Sequence, residues 1–322
     1  MEQPLTRWLM AVMLLLLAGG CRREKSLDRG LEELAHKKYD AAITHFSKAI
    51  KDDPNSAAPW YNRGDAYCAK GDLDKAIADY TEAIRLNPFS QAFYYNRGNI
   101  YKFRGDLDRA LADYSTALQI DPDFAAAWYN RGNAYKEKGD FDKAMADWSL
   151  AIKSNPKYGP AYGNRAFVNL NRGEFVQAIR DYNELIKLCP EDANAFNNRG
   201  NAHQGCGEND GALADFAQAI RLDPKMWMAH ASIAKLLASS RNPETRRAPE
   251  VVQYARQACE LSEWKVSVTV ALLAATYAEA GDFEQAAQWE RQYLKMPALD
   301  EPSAALGRQR LALYLDHKTL AH

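Results

Sequence analysis

Residues 125–158 show the pattern of the chain most plainly. Two stretches, AAWYNRGNAYKEK and DKAMADWSLAIKS, bring apolar and small residues back every three or four positions, with charged and amide residues between. That spacing gathers the apolar residues on one face and predicts two amphipathic helices. Gly139, Asp140, Phe141 and Asp142 lie between them. Gly139 suits the left-handed backbone just past a helix C-terminus. Asp142 suits the N-cap of the second helix. Pro156 then ends that helix, because proline has no amide hydrogen to continue it.

The same pair is copied along the sequence. Pro54, Pro88, Pro122, Pro156, Pro190 and Pro224 stand 34 residues apart, and a fixed period of this kind marks a stacked array. It divides the chain into 23–56, 57–90, 91–124, 125–158, 159–192 and 193–226. Within 57–90, Trp60, Gly64, Tyr67, Ala76, Tyr80, Ala83 and Pro88 occupy positions 4, 8, 11, 20, 24, 27 and 32. Tyr94, Gly98, Tyr101, Ala110, Tyr114, Ala117 and Pro122 fill those places in the next copy. Trp128, Gly132, Tyr135, Ala144, Trp148, Ala151 and Pro156 fill them in the third. Small residues such as Gly64 and Ala76 let two helices approach, and the aromatics fill the space beside them.

These residues resemble the tetratricopeptide repeat (TPR). The resemblance implies an all-α fold, a right-handed α-solenoid of about eight helix-turn-helix repeats, in which the first helices line the inner surface. The six regular copies take up 26–226. Two divergent repeats follow over 227–299, with an insertion at about 239–250 around Pro243 and Pro249. Residues 300–322 are read as a capping helix and tail, the helix near 303–316, since an array needs a polar cover over its last apolar face.

Two further positions recur. Position 7 is arginine and position 23 aspartate in five copies: Arg63 with Asp79, Arg97 with Asp113, Arg131 with Asp147, Arg165 with Asp181, and Arg199 with Asp215. An ion pair between the two helices of each repeat is expected, worth about 0–1 kcal/mol if exposed. Position 6 is Asn62, Asn96, Asn130, Asn164 and Asn198, and position 9 is Asp65, Asn99, Asn133, Phe167 and Asn201. Positions three apart share a helical face. On the inner surface that the resemblance implies, they would form a ladder of amides. An amide offers donors and an acceptor, so the ladder is a candidate site for an extended peptide or partner protein. Tyr61, Tyr95 and Tyr129 on the same helices suggest an alternative, stacking against cell-wall glycan. The basic residues that chaperone-binding TPR domains use at positions 2 and 5 are absent here: position 5 holds Tyr61, Tyr95, Tyr129, Gly163 and Asn197.

Charge adds little. With 41 basic and 42 acidic residues, nothing favours nucleic acid. The N-terminus adds more. Residues 1–20 read as a signal peptide, because the apolar run Trp8–Ala18 is about half a bilayer long as a helix. Ala18, Gly19, Gly20 and Cys21 resemble the processing box of bacterial lipoproteins, which implies lipidation of Cys21 as the new first residue. Residues 21–25 would be the anchored start and a short linker. Arg22 follows in place of the aspartate associated with inner-membrane retention, so the expected location is the bacterial envelope, on the periplasmic face of the outer membrane. Cys68, Cys189, Cys206 and Cys259 show no disulfide spacing and are expected to be buried or half-buried free thiols. No catalytic constellation, metal-ligand spacing or phosphate loop is visible. The reading is a non-enzymatic scaffold with no cofactor, metal or small-molecule substrate expected.

Overall fold

A computed structural model describes residues 25–246, 248–297 and 299–319. The expected signal peptide, residues 1–20, and Cys21 lie outside them. The described residues are helical without a strand, and they divide after Tyr158 into two compact units.

In the first unit, α1 is helical over the described residues 25–35, and α2 is Tyr39–Asp52. Three pairs follow: α3 Ala57–Lys70 with α4 Leu73–Leu86, α5 Gln91–Phe103 with α6 Leu107–Ile120, and α7 Ala125–Glu137 with α8 Phe141–Ser154. The turn inside each of these three pairs carries a left-handed glycine, Gly71 at φ 82°, Gly105 at 76° and Gly139 at 82°. The N-cap of α8 is Asp140 and not Asp142: the Asp140 side chain accepts from the Lys143 amide at 3.2 Å. Asp72 and Asp106 cap α4 and α6 in the same way. The aspartate directly after the glycine is the residue close enough to the new helix's free amides.

The core is layered. Ala76, Ala110 and Ala144 are fully buried, and Tyr80, Tyr114 and Trp148 lie against the glycine of the partner helix. A Cβ on Gly64 would come within 2.7 Å of the Tyr80 ring, so position 8 is held small by contact.

In the second unit, α9 Gly159–Asn171 pairs with α10 Phe175–Leu188, and α11 Ala193–Gly205 with α12 Asn209–Leu222. Then α13 Trp227–Ala238 pairs with α15 Pro249–Leu261, and the insertion between them holds a short α14, Pro243–Arg246. Arg246 ties this insertion to Glu279 at 3.2 Å and to the Ser240 carbonyl at 2.7 Å. The last pair is α16 Ser267–Glu279 with α17 Phe283–Tyr293, and α18 Glu301–Leu315 packs against α17. That end is fixed by Arg310, which clamps the fully buried Glu290 with bonds of 2.7 and 3.1 Å.

The recurring arginine and aspartate do pair, more strongly than an exposed pair would. Arg97 grips Asp113 through Nε and Nη2, both at 2.8 Å, and the other four pairs are likewise two-pronged. The aspartates are only 4–6 % exposed. The third nitrogen of Arg63, Arg97, Arg131 and Arg199 reaches back to Ser47, Thr81, Ser115 and Asn183 in the preceding repeat. Each arginine therefore joins three helices, and losing one strands a buried charge, which costs about 3–5 kcal/mol.

Candidate binding site

The first helices of successive repeats in the first unit, α3, α5 and α7, are joined by the amides that the sequence singles out. Asn96 on α5 donates from Nδ2 to Tyr61 Oη at 2.9 Å and to Asp65 Oδ1 at 3.1 Å, both on α3. Asn130 on α7 does the same to Tyr95 and Asn99 on α5, at 2.9 and 3.0 Å. Position 9 also accepts from the aromatic at position 24 of its own repeat. Tyr80 donates to Asp65 at 2.6 Å, Tyr114 to Asn99 at 2.8 Å, and Trp148 to Asn133 at 3.2 Å. Positions 5, 6, 9 and 24 are thus one polar relay that sets the register between repeats.

This changes the expected ladder. The donors of Asn96 and Asn130 are spent on the repeat before them and are not free for a peptide backbone. Asn62 has no such partner, because positions 5 and 9 of the first repeat are Leu27 and Leu31. Its Nδ2 turns to the Ala58 carbonyl of its own helix at 2.8 Å. In the second unit Asn164, Asn198 and Asn201 are half-buried, and Phe167, at position 9, is 51 % exposed. Asn198 accepts from Asn197 at 3.4 Å. The tyrosines are also engaged: Tyr61 packs on Phe93 and Tyr95 on Phe124, each with ring centroids 4.8 Å apart, and Tyr129 lies 5.2 Å from Tyr158.

Three of the ladder residues do meet open space. Asp65, Asn96 and Asn99 form the polar part of a cavity of about 720 Å³ between α3 and α5. Its walls include Ala69, Leu73, Ile100 and Phe103. Phe103, on this wall, is 79 % exposed. These wall residues escape a search for amides, yet a signal for them exists. Asn96, Asn99 and Ile100, and Phe103 follow one another at helical spacing, so the face continues from amide to aromatic.

Burial dominates the electrostatics. It raises the Asp65 carboxyl above the usual carboxylate range, while hydrogen bonds from Tyr80, Asn96 and Tyr61 pull it back. Burial, and then Asp65, pushes Tyr61 up to about 12. Burial also raises the Cys68 thiol beside the cavity, which keeps it protonated at neutral pH. Cys68, Cys189 and Cys206 are exposed and only Cys259 is buried; all four are free thiols. Among the described residues, no group of three or more His, Cys, Asp or Glu side chains is placed to hold a metal ion. No helix of the described residues is long and apolar enough to cross a membrane.

Consecutive helix pairs with a shared face of first helices define a helical-repeat scaffold. Profiles described as tetratricopeptide repeat match residues 27–91, 79–112, 125–158 and 193–226, and one described as TPR repeat matches 98–139 and 170–205. The chain belongs to the tetratricopeptide-repeat family. No curated protein matches the sequence.

Solved structures share the fold. YrrB, described as a TPR protein with an unusual peptide-binding site, is 23% identical over 57% of this chain and 95% of its own, with TM-score 0.51. Pseudomonas aeruginosa PilF is 17% identical over 68% of this chain and 99% of its own, with TM-score 0.59. The C-terminal part of a TPR repeat-containing protein from Cytophaga hutchinsonii is 18% identical over 77% of this chain and 98% of its own, with TM-score 0.62.

Proposed function

We propose that the chain is a non-enzymatic adaptor that captures an extended segment of a partner protein on the first-helix face of its repeats. The observation that supports this most is the cavity between α3 and α5, with its apolar walls and a floor built from positions 6 and 9. Concave, mostly apolar sites with a few convergent polar groups are the usual form of a binding pocket. Asp65 and Asn99 contact the ligand there, beside Asn96, whose donors stay on α3. Within the first unit Asn62, Asn130 and Asn133 lie on the same first helices and are the next candidates; Asn164, Asn198 and Asn201 are the corresponding candidates on the first helices of the second unit. Glycan stacking has less in its favour, since the Tyr61 and Tyr95 hydroxyls already accept hydrogen bonds from the next repeat and their rings pack on phenylalanine.

The placement of this adaptor rests on the sequence. The apolar run Trp8–Ala18 and the Ala18-Gly19-Gly20-Cys21 box support a lipid anchor at Cys21 in the bacterial cell envelope, and Arg22 in place of an aspartate favours the periplasmic face of the outer membrane. Two or three acyl chains, at about 0.8 kcal/mol per buried CH₂, would make attachment nearly permanent.

Two experiments test the proposal. A random peptide library displayed on phage and panned on the full chain should yield ligands whose binding is lost in Ala69→Trp. That substitution fills the cavity from an exposed helix position. Ligands that bind Ala69→Trp as well as the wild type would refute the site. For the anchor, metabolic labelling with an alkyne-tagged fatty acid should mark the wild type and not Cys21→Ser; label on both would refute lipidation there.

A further inference from the structure

The cavity between α3 and α5 contains a carboxylate without a counter-ion. Asp79, Asp113, Asp147, Asp181, Asp215 and Glu290 are the buried carboxylates among the described residues, and each is clamped by an arginine. Asp65 is held differently. Its donors are the neutral groups of Tyr80, Asn96 and Tyr61, and no Lys, Arg or His of the described residues is paired with it.

The packing does not need this charge. Asn99 occupies the same position one repeat later and does the same structural work. Asn99 Oδ1 accepts from Tyr114 at 2.8 Å and from Asn130 at 3.0 Å, where Asp65 Oδ1 accepts from Tyr80 at 2.6 Å and from Asn96 at 3.1 Å. Asn133 and Asn201 are the amide again in later copies. A half-buried carboxylate costs desolvation free energy that an amide at the same place would avoid. Local rules broken without structural need are expected at functional positions.

The walls narrow the chemistry. Ala69, Leu73, Ile100 and Phe103 offer apolar surface, and Asp65 is the only lining residue with a carboxylate. An acidic ligand would be repelled, and a purely apolar one would desolvate Asp65 further with no return. A group with an aliphatic stem and a cationic head satisfies both parts, the stem along the walls and the head on the carboxylate.

We propose that this cavity selects a lysine or arginine side chain of the captured segment, with Asp65 as the residue that recognises its charge. The inference rests on the proposed capture of an extended peptide, and its test is separable from that reading. The probes are Nα-acetyl-lysine amide and Nα-acetyl-norleucine amide, which has a similar stem and no charge. Each is titrated into the 15N-labelled full chain, followed by amide chemical shifts around Cys68, Gly71, Ile100 and Phe103.

The lysine probe should bind saturably there and at least about tenfold more tightly than norleucine. Asp65→Asn, which installs the amide found at Asn99, should abolish that preference while leaving the amide spectrum otherwise folded. Equal affinities for the two probes, a preference that survives in Asp65→Asn, or no saturable lysine binding up to about 10 mM would each overturn the proposal. Phage-selected ligands that lose binding in Ala69→Trp but not in Asp65→Asn, and carry no required basic residue, would overturn the cation and leave the groove. Ligands indifferent to Ala69→Trp would overturn the groove reading itself.

Discussion

Removing one arginine of the recurring ion pairs is the sharpest test of how the array holds together. Arg97→Met keeps most of the aliphatic stem and deletes the charge. In the wild type, Arg97 makes two 2.8 Å bonds to Asp113 and a third of 3.0 Å to Thr81 in the preceding repeat. Asp113 is 6 % exposed, so water cannot replace the guanidinium. An uncompensated buried charge costs about 3–5 kcal/mol.

Native-state amide exchange reads this locally, because repeats open in units. The protected amides of α5 and α6 should exchange on the order of a thousandfold faster in the variant. The double variant Arg97→Met with Asp113→Leu should recover most of the loss, since an apolar pair of similar volume substitutes for a buried ion pair at little cost. A loss in Arg97→Met below about 1 kcal/mol would refute the reasoning and put the pair with ordinary surface salt bridges. So would a double variant no better than the single one.

Other outcomes follow from the same geometry. Asn96→Ala removes two hydrogen bonds from α5 to α3, so it should cost about 1–3 kcal/mol in urea unfolding. An unchanged urea midpoint would show that Asn96 does not tie the repeats together. Asp65→Asn should be stabilising in a pH-dependent way. Burial raises the folded carboxyl, so the folded wild type holds its proton more tightly than the unfolded chain. Its stability is complete below the unfolded value of about 3.9 and is lost as pH rises through the folded value. The urea midpoint of Asp65→Asn relative to wild type should therefore climb as pH rises from about 4, and a difference independent of pH would exclude the effect. Arg310→Met leaves Glu290, which is fully buried, without its partner, and should loosen α17 and α18 by about 3–5 kcal/mol. Amide exchange confined to that end would confirm the cap, whereas unaltered protection would show that the pair is dispensable.

Most of the fold was legible because each repeat must solve the same local problem. Gly139 breaks the helix for steric reasons alone, and Ala76 with Tyr80 fixes how one pair closes. The cap after the glycine was misplaced by two residues, since Asp140 and Asp142 are equally good caps by type and only the backbone path selects one. The site was half legible. Position 6 and position 9 were found as a recurring face, and Asp65, Asn96 and Asn99 do line the cavity. What those side chains do was hidden. A donor's partner 31 or 35 residues away in sequence, such as Asp65 or Tyr61 for Asn96, is set by how one repeat sits on the next.

The amino-acid sequence alone determined the repeating helix pairs, their turns, and which residues face one another within a pair, because these follow from period, steric size and backbone preference over a few turns. Tertiary packing decided the rest. It buried the arginine–aspartate pairs and turned the Asn96 and Asn130 amides into ties between repeats. It also left Asp65 facing open space without a cation. Burial and hydrogen-bond partnership depend on distances between residues far apart in the chain, and no local pattern carries those distances.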